Sequence, residues 1–339
     1  MGRLIDGEWR TDVEQLESDE EGEFQRATTS FREWVGGESG DDPDARFQPA
    51  AGRYHLYVSY ACPWAHRTLL TRALMGLEDA ITVDVVDPFR EDDGWEFAPE
   101  KPGCTTDRIH GAAYLRDVYT AAEPDYTGRV TVPVLWDREE GVIVNNESEE
   151  IIKMLAQAFG DEAERDVDLY PAERRDAIDE VIDDIYPSIN NGVYRAGFAE
   201  SQSAYDGAVE ELFDALAEYD DLLGDQRYLA GDSLTLADVC MFTTLYRFDE
   251  VYHTHFKCNH RRITDYEHLW GYLRELYQLP GVAETCVMDH VKEHYYRSHD
   301  HLNPHRLVPK GPDPDFEAPH DRDRLPGGPP AALAPPAAD

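Results

Sequence analysis

Apolar positions along the chain change their spacing near residue 170, and the two patterns predict two kinds of structure. Residues 54–58, Tyr-His-Leu-Tyr-Val, have the β-rich composition of a strand. Cys62-Pro63 then opens a helix. Proline stands in its first turn, where no amide hydrogen is needed, and Leu69, Leu70, Ala73 and Leu74 recur at helical spacing. Residues 81–86, Ile-Thr-Val-Asp-Val-Val, are a second strand and complete a βαβ unit. The connection over 87–128 is long, carries a short helix-like stretch around 115–121, and is of a length that is usually functional or disordered. Val132-Pro-Val-Leu-Trp136 and Val142-Ile-Val144 read as a hairpin with a charged turn, and 147–159 as an amphipathic helix. The order βαβ then ββα predicts a thioredoxin-like half.

From about 170 to 300 the period is helical. Val209, Leu212, Phe213, Leu216 and Tyr219 share one face, while 236–245 is apolar nearly all round. Thr235 and Asp238 ahead of that run fit a capping box with Asp in place of the usual Glu. The fold class is therefore α/β followed by all-α, divided as an acidic N-terminal extension over 1–50, a thioredoxin-like thiol-binding domain over 51–160, an all-helical domain over 161–310 and a disordered tail over 311–339. The extension carries Trp9, Phe24, Phe31, Trp34 and Phe47, aromatics suited to draping over a core. The tail is expected to lack structure because its composition is Pro, Ala and Asp.

Charge narrows the partners. The formal net charge of the 339 residues is -39, and Lys101, Lys153, Lys257, Lys292 and Lys310 are all the lysines. A field of that sign repels nucleic acid and acidic membranes. It also opposes compaction at ordinary ionic strength, whereas concentrated salt screens the repulsion to a few ångström, so the surface reads as adapted to a salty cytoplasm. Five cysteines are scattered without disulfide-framework spacing, and neither a leader nor a membrane-length apolar run is visible.

Candidate chemistry concentrates in Ser59-Tyr-Ala-Cys-Pro-Trp-Ala-His-Arg67. A cysteine between a strand end and a helix start meets unpaired amide hydrogens and the positive end of the helix dipole, which favour a thiolate, and only the thiolate attacks sulfur. His66 and Arg67 follow within a turn and are candidates to add positive potential. Ala65 occupies the place of a second thiol in a dithiol oxidoreductase, so an external small thiol must resolve any mixed disulfide on Cys62. Pro133 suits a cis peptide facing the site, which leaves the Val132 backbone to pair with a bound peptide thiol. Asn146, Glu147 and Ser148 either grip an α-amino acid terminus at the next helix start or serve only as helix caps; the residues alone allow both.

Together these residues resemble the glutathionyl-hydroquinone reductases, the xi class of glutathione transferases. The likeness covers most of 50–300. It runs through Cys-Pro-Trp-Ala-His-Arg (62–67), Gly94-Trp-Glu-Phe97, Tyr114-Leu-Arg-Asp-Val-Tyr119 and Gly128-Arg-Val-Thr-Val-Pro-Val-Leu-Trp-Asp137, then Asn145-Asn-Glu-Ser148, Asn190-Asn-Gly-Val-Tyr-Arg-Ala-Gly-Phe198, Arg247-Phe-Asp-Glu-Val-Tyr252 and His255-Phe-Lys-Cys-Asn259. It implies a homodimer, no bound cofactor, glutathione or γ-glutamylcysteine as co-substrate, and Cys62 as catalytic nucleophile. It further implies that Trp95, Arg129, Val132, Pro133, Glu147 and Ser148 hold the thiol. Tyr194, Tyr252 and Tyr296 would line a hydroquinone site and donate hydrogen bonds to its oxygens.

Competing readings are an omega-like thioltransferase or dehydroascorbate reductase, a dehalogenase acting on glutathione conjugates, and a non-catalytic module on the same fold. A metal site at His253, His255, Cys258 and His260, or at His290 and His294, has ligand-like spacing, but thirteen histidines produce such pairs by chance. Ser-nucleophile, zinc-protease, phosphate-loop and dinucleotide fingerprints are absent. The charge alone makes a prediction: raising KCl from about 0.1 M to about 2 M raises the thermal unfolding midpoint, and a midpoint unchanged or lowered by salt refutes the salt-adaptation reading.

Overall fold

The computed structural model describes residues 2–13 and 17–334. Residues 335–339 of the tail predicted to be disordered lie outside the described residues. Two short hairpins come first, β1 (Arg3–Ile5) with β2 (Glu8–Arg10) and β3 (Glu17–Ser18) with β4 (Phe24–Gln25). The main sheet has four strands, β5 (Tyr54–Val58), β6 (Thr82–Val85), β7 (Val134–Asp137) and β8 (Val142–Asn145), in the order β6-β5-β7-β8. β5 runs parallel to β6 and antiparallel to β7, and β7 pairs antiparallel with β8. All five residues of β5 are buried, as in a strand covered on both faces.

Helices α1 (Pro63–Met75), α2 (Leu115–Ala122) and α3 (Ser148–Ala158) complete this part, with α1 and α3 packed together. The thioredoxin-like order expected from the sequence is the order found. The hairpin strand begins at Val134 rather than Val132, because the cis Val132–Pro133 peptide precedes the ladder.

Helices α4 (Arg175–Ile185), α5 (Gly192–Gly197), α6 (Gln202–Asp225), α7 (Leu236–Arg247), α8 (His253–His255) and α9 (Leu269–Tyr277) follow. Every residue of α7 is buried, and its N-terminus carries the predicted capping box of Thr235 and Asp238. Cys240 lies inside this helix with no exposure. No helix among the described residues is long and apolar enough to cross a membrane.

The chain divides into two compact units, one of Met1–Glu17, Ala27–Glu164 and Val287–Val308, the other of Ser18–Arg26, Arg165–Cys286 and Pro309–Asp339. Two expectations about domain limits differ from this. Helix α10 (Met288–Ser298), expected in the helical domain, folds with the first unit. Its His290 Nε2 lies 2.8 Å from the Pro102 carbonyl and its His294 Nδ1 lies 2.7 Å from that of Pro88. The described part of the tail is not disordered. Arg322 is 1% exposed, donates to the carbonyls of Leu223, Gln226 and Arg227 at the end of α6, and reaches Glu275. Arg227 bonds Asp323 and the Gly327 carbonyl, Arg274 and Gln278 bond tail carbonyls, and Leu333 is buried, so a few contacts anchor a segment whose composition alone cannot form a core.

The acidic extension is divided between the two, with 18–26 in the second unit and the rest of 1–50 in the first. Asn146 N–H donates to the Phe31 carbonyl, Phe31 N–H donates to Asn146 Oδ1, and Glu33 N–H donates to the Val144 carbonyl, so residues 31–33 lie along β8.

At the parallel β5–β6 joint, His55 is fully buried with Nδ1 2.6 Å from Thr82 Oγ1 and Nε2 3.0 Å from Asp84. Arg138 donates to Thr82 Oγ1 and lies 3.4 Å from His55 Nδ1, an arrangement that suits Nδ1 as an acceptor on a neutral ring. Burial pulls the His55 pKa below its ordinary 6.5, although Asp84 opposes this. Burial also works against the Asp84 charge, yet hydrogen bonds from His55 and Arg108 hold its carboxyl below the ordinary range. Both groups are lowered, so the unfolded chain binds protons first and stability is lost as pH falls. Folding free energy measured by urea titration is therefore expected to decline as pH drops below 6.5, the ordinary histidine value. His55→Gln should reduce the slope, with His253 and His320, also lowered by burial, supplying the remainder. An unaltered slope in the folded variant refutes the assignment to His55.

Candidate active site

β5 ends at Val58 and the chain turns through Ser59 so that Cys62 is the N-cap residue of α1, with Pro63 first in the helix. Cys62 N–H donates to the Ser59 carbonyl at 3.1 Å, and its own carbonyl accepts from His66 at 2.9 Å, the first bond of the helix. No side chain caps this end, and no acidic residue stands in the first turn. The Cys62 thiol points across to the Val132 carbonyl, 3.6 Å away, beside the cis Val132–Pro133 peptide. Both ends of that contact are set by backbone: one by a helix start, the other by the entry to β7.

His66 and Arg67 are both buried on α1, and the Arg67 guanidinium lies 4.6 Å over the Trp64 ring. They are packed into the helix.

Glu147 caps α3, accepting from the Glu149 amide, while its other oxygen lies 3.2 Å from Thr29 Oγ1. Ser148 is buried, with Oγ 3.5 Å from Glu147. Glu147 thus serves as a helix cap, with both of its oxygens engaged by short polar donors.

The buried Tyr119 hydroxyl ties this helix start to the thiol's neighbour. It donates to the Thr131 carbonyl at 2.9 Å and accepts from Asn146 Nδ2 at 3.1 Å. Burial raises its pKa to about 12, with the Thr131 and Asn146 bonds opposing, so it is a neutral donor.

Trp95 is 4% exposed, and its indole N–H, fully enclosed, has no hydrogen-bond acceptor among the described residues. A buried donor without an acceptor costs about 1–3 kcal/mol, so the position suits a group that arrives with a ligand. His294 of α10 stacks on the Trp95 ring at 5.1 Å, and Arg90 lies 5.0 Å from its centroid.

Arg90 was not singled out from the sequence although it stands only a few residues before Trp95, and His294, noted there only as a possible metal ligand, reaches Trp95 from a distant part of the chain. Burial pushes the Arg90 guanidinium down to about 10; Arg129 adds to that shift and Cys62 opposes it. Arg90 therefore belongs to the same electrostatic neighbourhood as both.

Of the residues singled out, Cys62, Trp95, Arg129, Val132, Pro133, Glu147, Ser148 and Tyr296 fall in the first unit, whereas Tyr194 and Tyr252 fall in the second. Tyr194 and Tyr252 are buried, with ring centroids 6.0 Å apart, and the Arg26 guanidinium lies 4.7 Å over Tyr194. Tyr296 is buried in α10, and its carbonyl accepts from Asn303.

The candidate metal ligands are otherwise engaged. Cys258 is buried with Sγ 3.9 Å from the Val193 carbonyl, and His260 packs edge-on to Phe213. Among the described residues no group of three or more His, Cys, Asp or Glu gathers as a metal site.

Cys62 differs from the other cysteines by its helix-cap position. Burial raises the thiols of Cys104 and Cys286 to about 12 and that of Cys258 higher, and Cys240 is fully enclosed. Brief treatment with iodoacetamide at pH 8 is expected to place the first adduct on Cys62, read by peptide mass spectrometry. A first adduct on any other cysteine contradicts this ordering.

Comparison with known proteins bears on the same residues. Models of the glutathione S-transferase N-terminal and C-terminal domains match residues 61–158 and 202–275. Glutathionyl-hydroquinone reductase YqjG of Escherichia coli is 48% identical over 325 residues, which cover 95% of this chain and 99% of that protein. Among solved structures, a xi class glutathione transferase from Natrialba magadii superposes with a TM-score of 0.90 at 62% identity, covering 96% of this chain and 98% of that one. The glutathione-bound structure of YqjG gives 0.86 at 47% identity over 95% and 99% of the two chains.

Proposed function

This chain belongs to the xi class of the glutathione S-transferase family, and from that premise we propose that it is a thiol-dependent reductase of glutathionyl- or γ-glutamylcysteinyl-hydroquinones. The observation that carries the reading is Cys62 at the N-cap of α1, with alanine at position 65 and the cis Val132–Pro133 peptide beside the sulfur. Amide hydrogens and the helix dipole favour its thiolate.

The thiolate attacks the thioether sulfur of the conjugate. The bond from sulfur to the ring carbon breaks, its electron pair and one proton go to that carbon, and free hydroquinone leaves. Cys62 retains the thiol as a mixed disulfide. A second thiol attacks this disulfide, carries the first away as a small disulfide and restores Cys62. With no neighbouring cysteine to resolve the intermediate, the second thiol comes from solution.

Trp95, Arg129, Val132, Pro133, Glu147 and Ser148 hold the thiol portion in this reading. The acceptor-less indole N–H of Trp95 supports it, as does the Val132 backbone beside the sulfur. Glu147 at the start of α3 takes the α-ammonium of the γ-glutamyl group, and the amide hydrogens there take its carboxylate. Tyr194, Tyr252 and Tyr296 receive the hydroquinone and hydrogen-bond its oxygens. No bound cofactor is needed. We further propose that the protein works as a cytoplasmic homodimer in concentrated salt, and that its partners are a small thiol and its quinol conjugate rather than nucleic acid or membrane.

The test is release of hydroquinone from both conjugates in molar salt. Cys62→Ala is expected to lose roughly a thousandfold or more in kcat. Trp95→Ala and Arg129→Ala should raise KM for the thiol portion roughly tenfold. The conjugate with the higher kcat/KM identifies the thiol. Absence of turnover from the folded wild type with either conjugate, or full activity in Cys62→Ala, refutes the proposal. Turnover of dehydroascorbate or a disulfide in its place points to an omega-like thioltransferase.

A further inference from the structure

The N-terminal hairpin of β1 and β2 is fastened to two loops at once, and each loop ends on a residue of the thiol site. On one side, Leu4 and Gly128 exchange backbone hydrogen bonds, each 3.0 Å. The amide of Gly7 donates to the Tyr126 carbonyl at 3.1 Å and that of Asp6 to Thr127 Oγ1 at 2.8 Å. The fit is close: Gly7 has φ +75, and a Cβ there would lie 2.0 Å from the Pro124 carbonyl oxygen. The residue after Gly128 is Arg129, whose own carbonyl accepts from the Tyr126 hydroxyl at 3.2 Å.

On the other side, Trp9 Nε1 donates to the Asp92 carbonyl at 2.9 Å. A Cβ on Gly94, which has φ +86, would lie 3.1 Å from the edge of the Trp9 ring. The residue after Gly94 is Trp95. Arg116 reinforces the contact from α2, lying 5.2 Å over Trp9 and bonding Asp93. Leu4 and Trp9 are themselves paired across the hairpin, so the two attachments belong to one hydrogen-bonded element.

We propose that Trp9 and Gly7 are positioning residues for thiol recognition: the hairpin holds the loops before Trp95 and Arg129 at a fixed spacing, and so sets affinity for the thiol without touching it. This rests on the reading that Trp95 and Arg129 bind the thiol. The physical basis is preorganisation, since loops clamped before binding do not have to be ordered during it. Reactivity of Cys62 is set apart from the hairpin, because the sulfur is placed by the start of α1 and the cis peptide ahead of β7.

Four measurements on the full chain in molar salt test this: amide hydrogen exchange, the glutathione dissociation constant by calorimetry, kcat at saturating thiol, and the rate at which iodoacetamide alkylates Cys62. Trp9→Ala should speed exchange over 92–95, and Gly7→Ala over 124–129. Each should weaken glutathione roughly three- to tenfold, the worth of one or two lost hydrogen bonds. Alkylation and kcat should stay within about twofold. Trp9→Phe, which keeps an aromatic ring but loses the bond to Asp92 and the indole edge against Gly94, should recover only part of the affinity.

Unchanged glutathione affinity in folded Trp9→Ala overturns the proposal, provided Trp95→Ala and Arg129→Ala weaken binding. If those two variants also bind normally, the thiol-site reading fails and the proposal with it. A fall in alkylation rate and kcat at constant affinity overturns it too, because that pattern marks general loosening.

Discussion

Where β5 stops and α1 starts, the chain must end a ladder of sheet hydrogen bonds and leave the first amides of a helix without partners, and the Cys62 sulfur is held at that junction. The strand is buried on both faces and clamped between β6 and β7, so its end has little freedom. Pro63 fixes the entry angle of the helix, and the cis peptide before β7 presents the Val132 carbonyl to the thiol. The other contacts around the site refer to this junction. Tyr119 fastens Thr131 to Asn146, which brings the start of α3 to the same edge of the sheet.

A second constraint is electrostatic. Seventy acidic side chains face thirty-one Lys and Arg, and lysine is scarce, yet several arginines lie inside rather than at the surface. Arg67, Arg247 and Arg322 are among the largest fully buried side chains. In the second unit, Glu275 is enclosed between Arg227 and Arg322, with Arg227 Nε 2.6 Å away. Salt screens exposed charges far more than buried ones. Such interior pairs keep their geometry at an ionic strength that quenches repulsion across the surface. The guanidinium, planar and weakly hydrated, tolerates that burial better than an ammonium.

The acidic extension is where composition and structure part most clearly. Its charge suggests a solvated appendage, but residues 31–33 run along β8 and the first hairpin is stitched to both Gly128 and Asp92. A few apolar and backbone contacts fasten a segment whose remaining side chains face water: Leu4 is buried while Asp6 and Glu8 beside it are exposed. The tail repeats the lesson: buried Arg322 donates to the carbonyls of Leu223, Gln226 and Arg227 at and just past the end of α6, and Arg227 bonds the tail in turn.

Local rules were enough for much of this protein. The period of apolar residues located β5, α1, β6 and α3 to within a residue or two, the Thr235–Asp238 pattern located the cap of α7, and proline after Val132 announced the cis peptide. Cys62 was legible for the same reason, because a cysteine before proline at a helix start is a statement about neighbours in sequence. The stacking of His294 on Trp95 and the bond from Trp9 to Asp92 were not, since each joins residues tens or hundreds of positions apart that no periodicity links, and Arg90, though near Trp95 in the chain, carries no motif that announces its contact. For the same reason the sequence assigned α10 to the helical domain and the tail to disorder, where the structure packs α10 with the first unit and anchors the tail. Sequence patterns report forces that act along the chain within a turn or a pleat; which distant segment supplies the acceptor, the stacked ring or the buried cation is decided only when the chain has closed on itself.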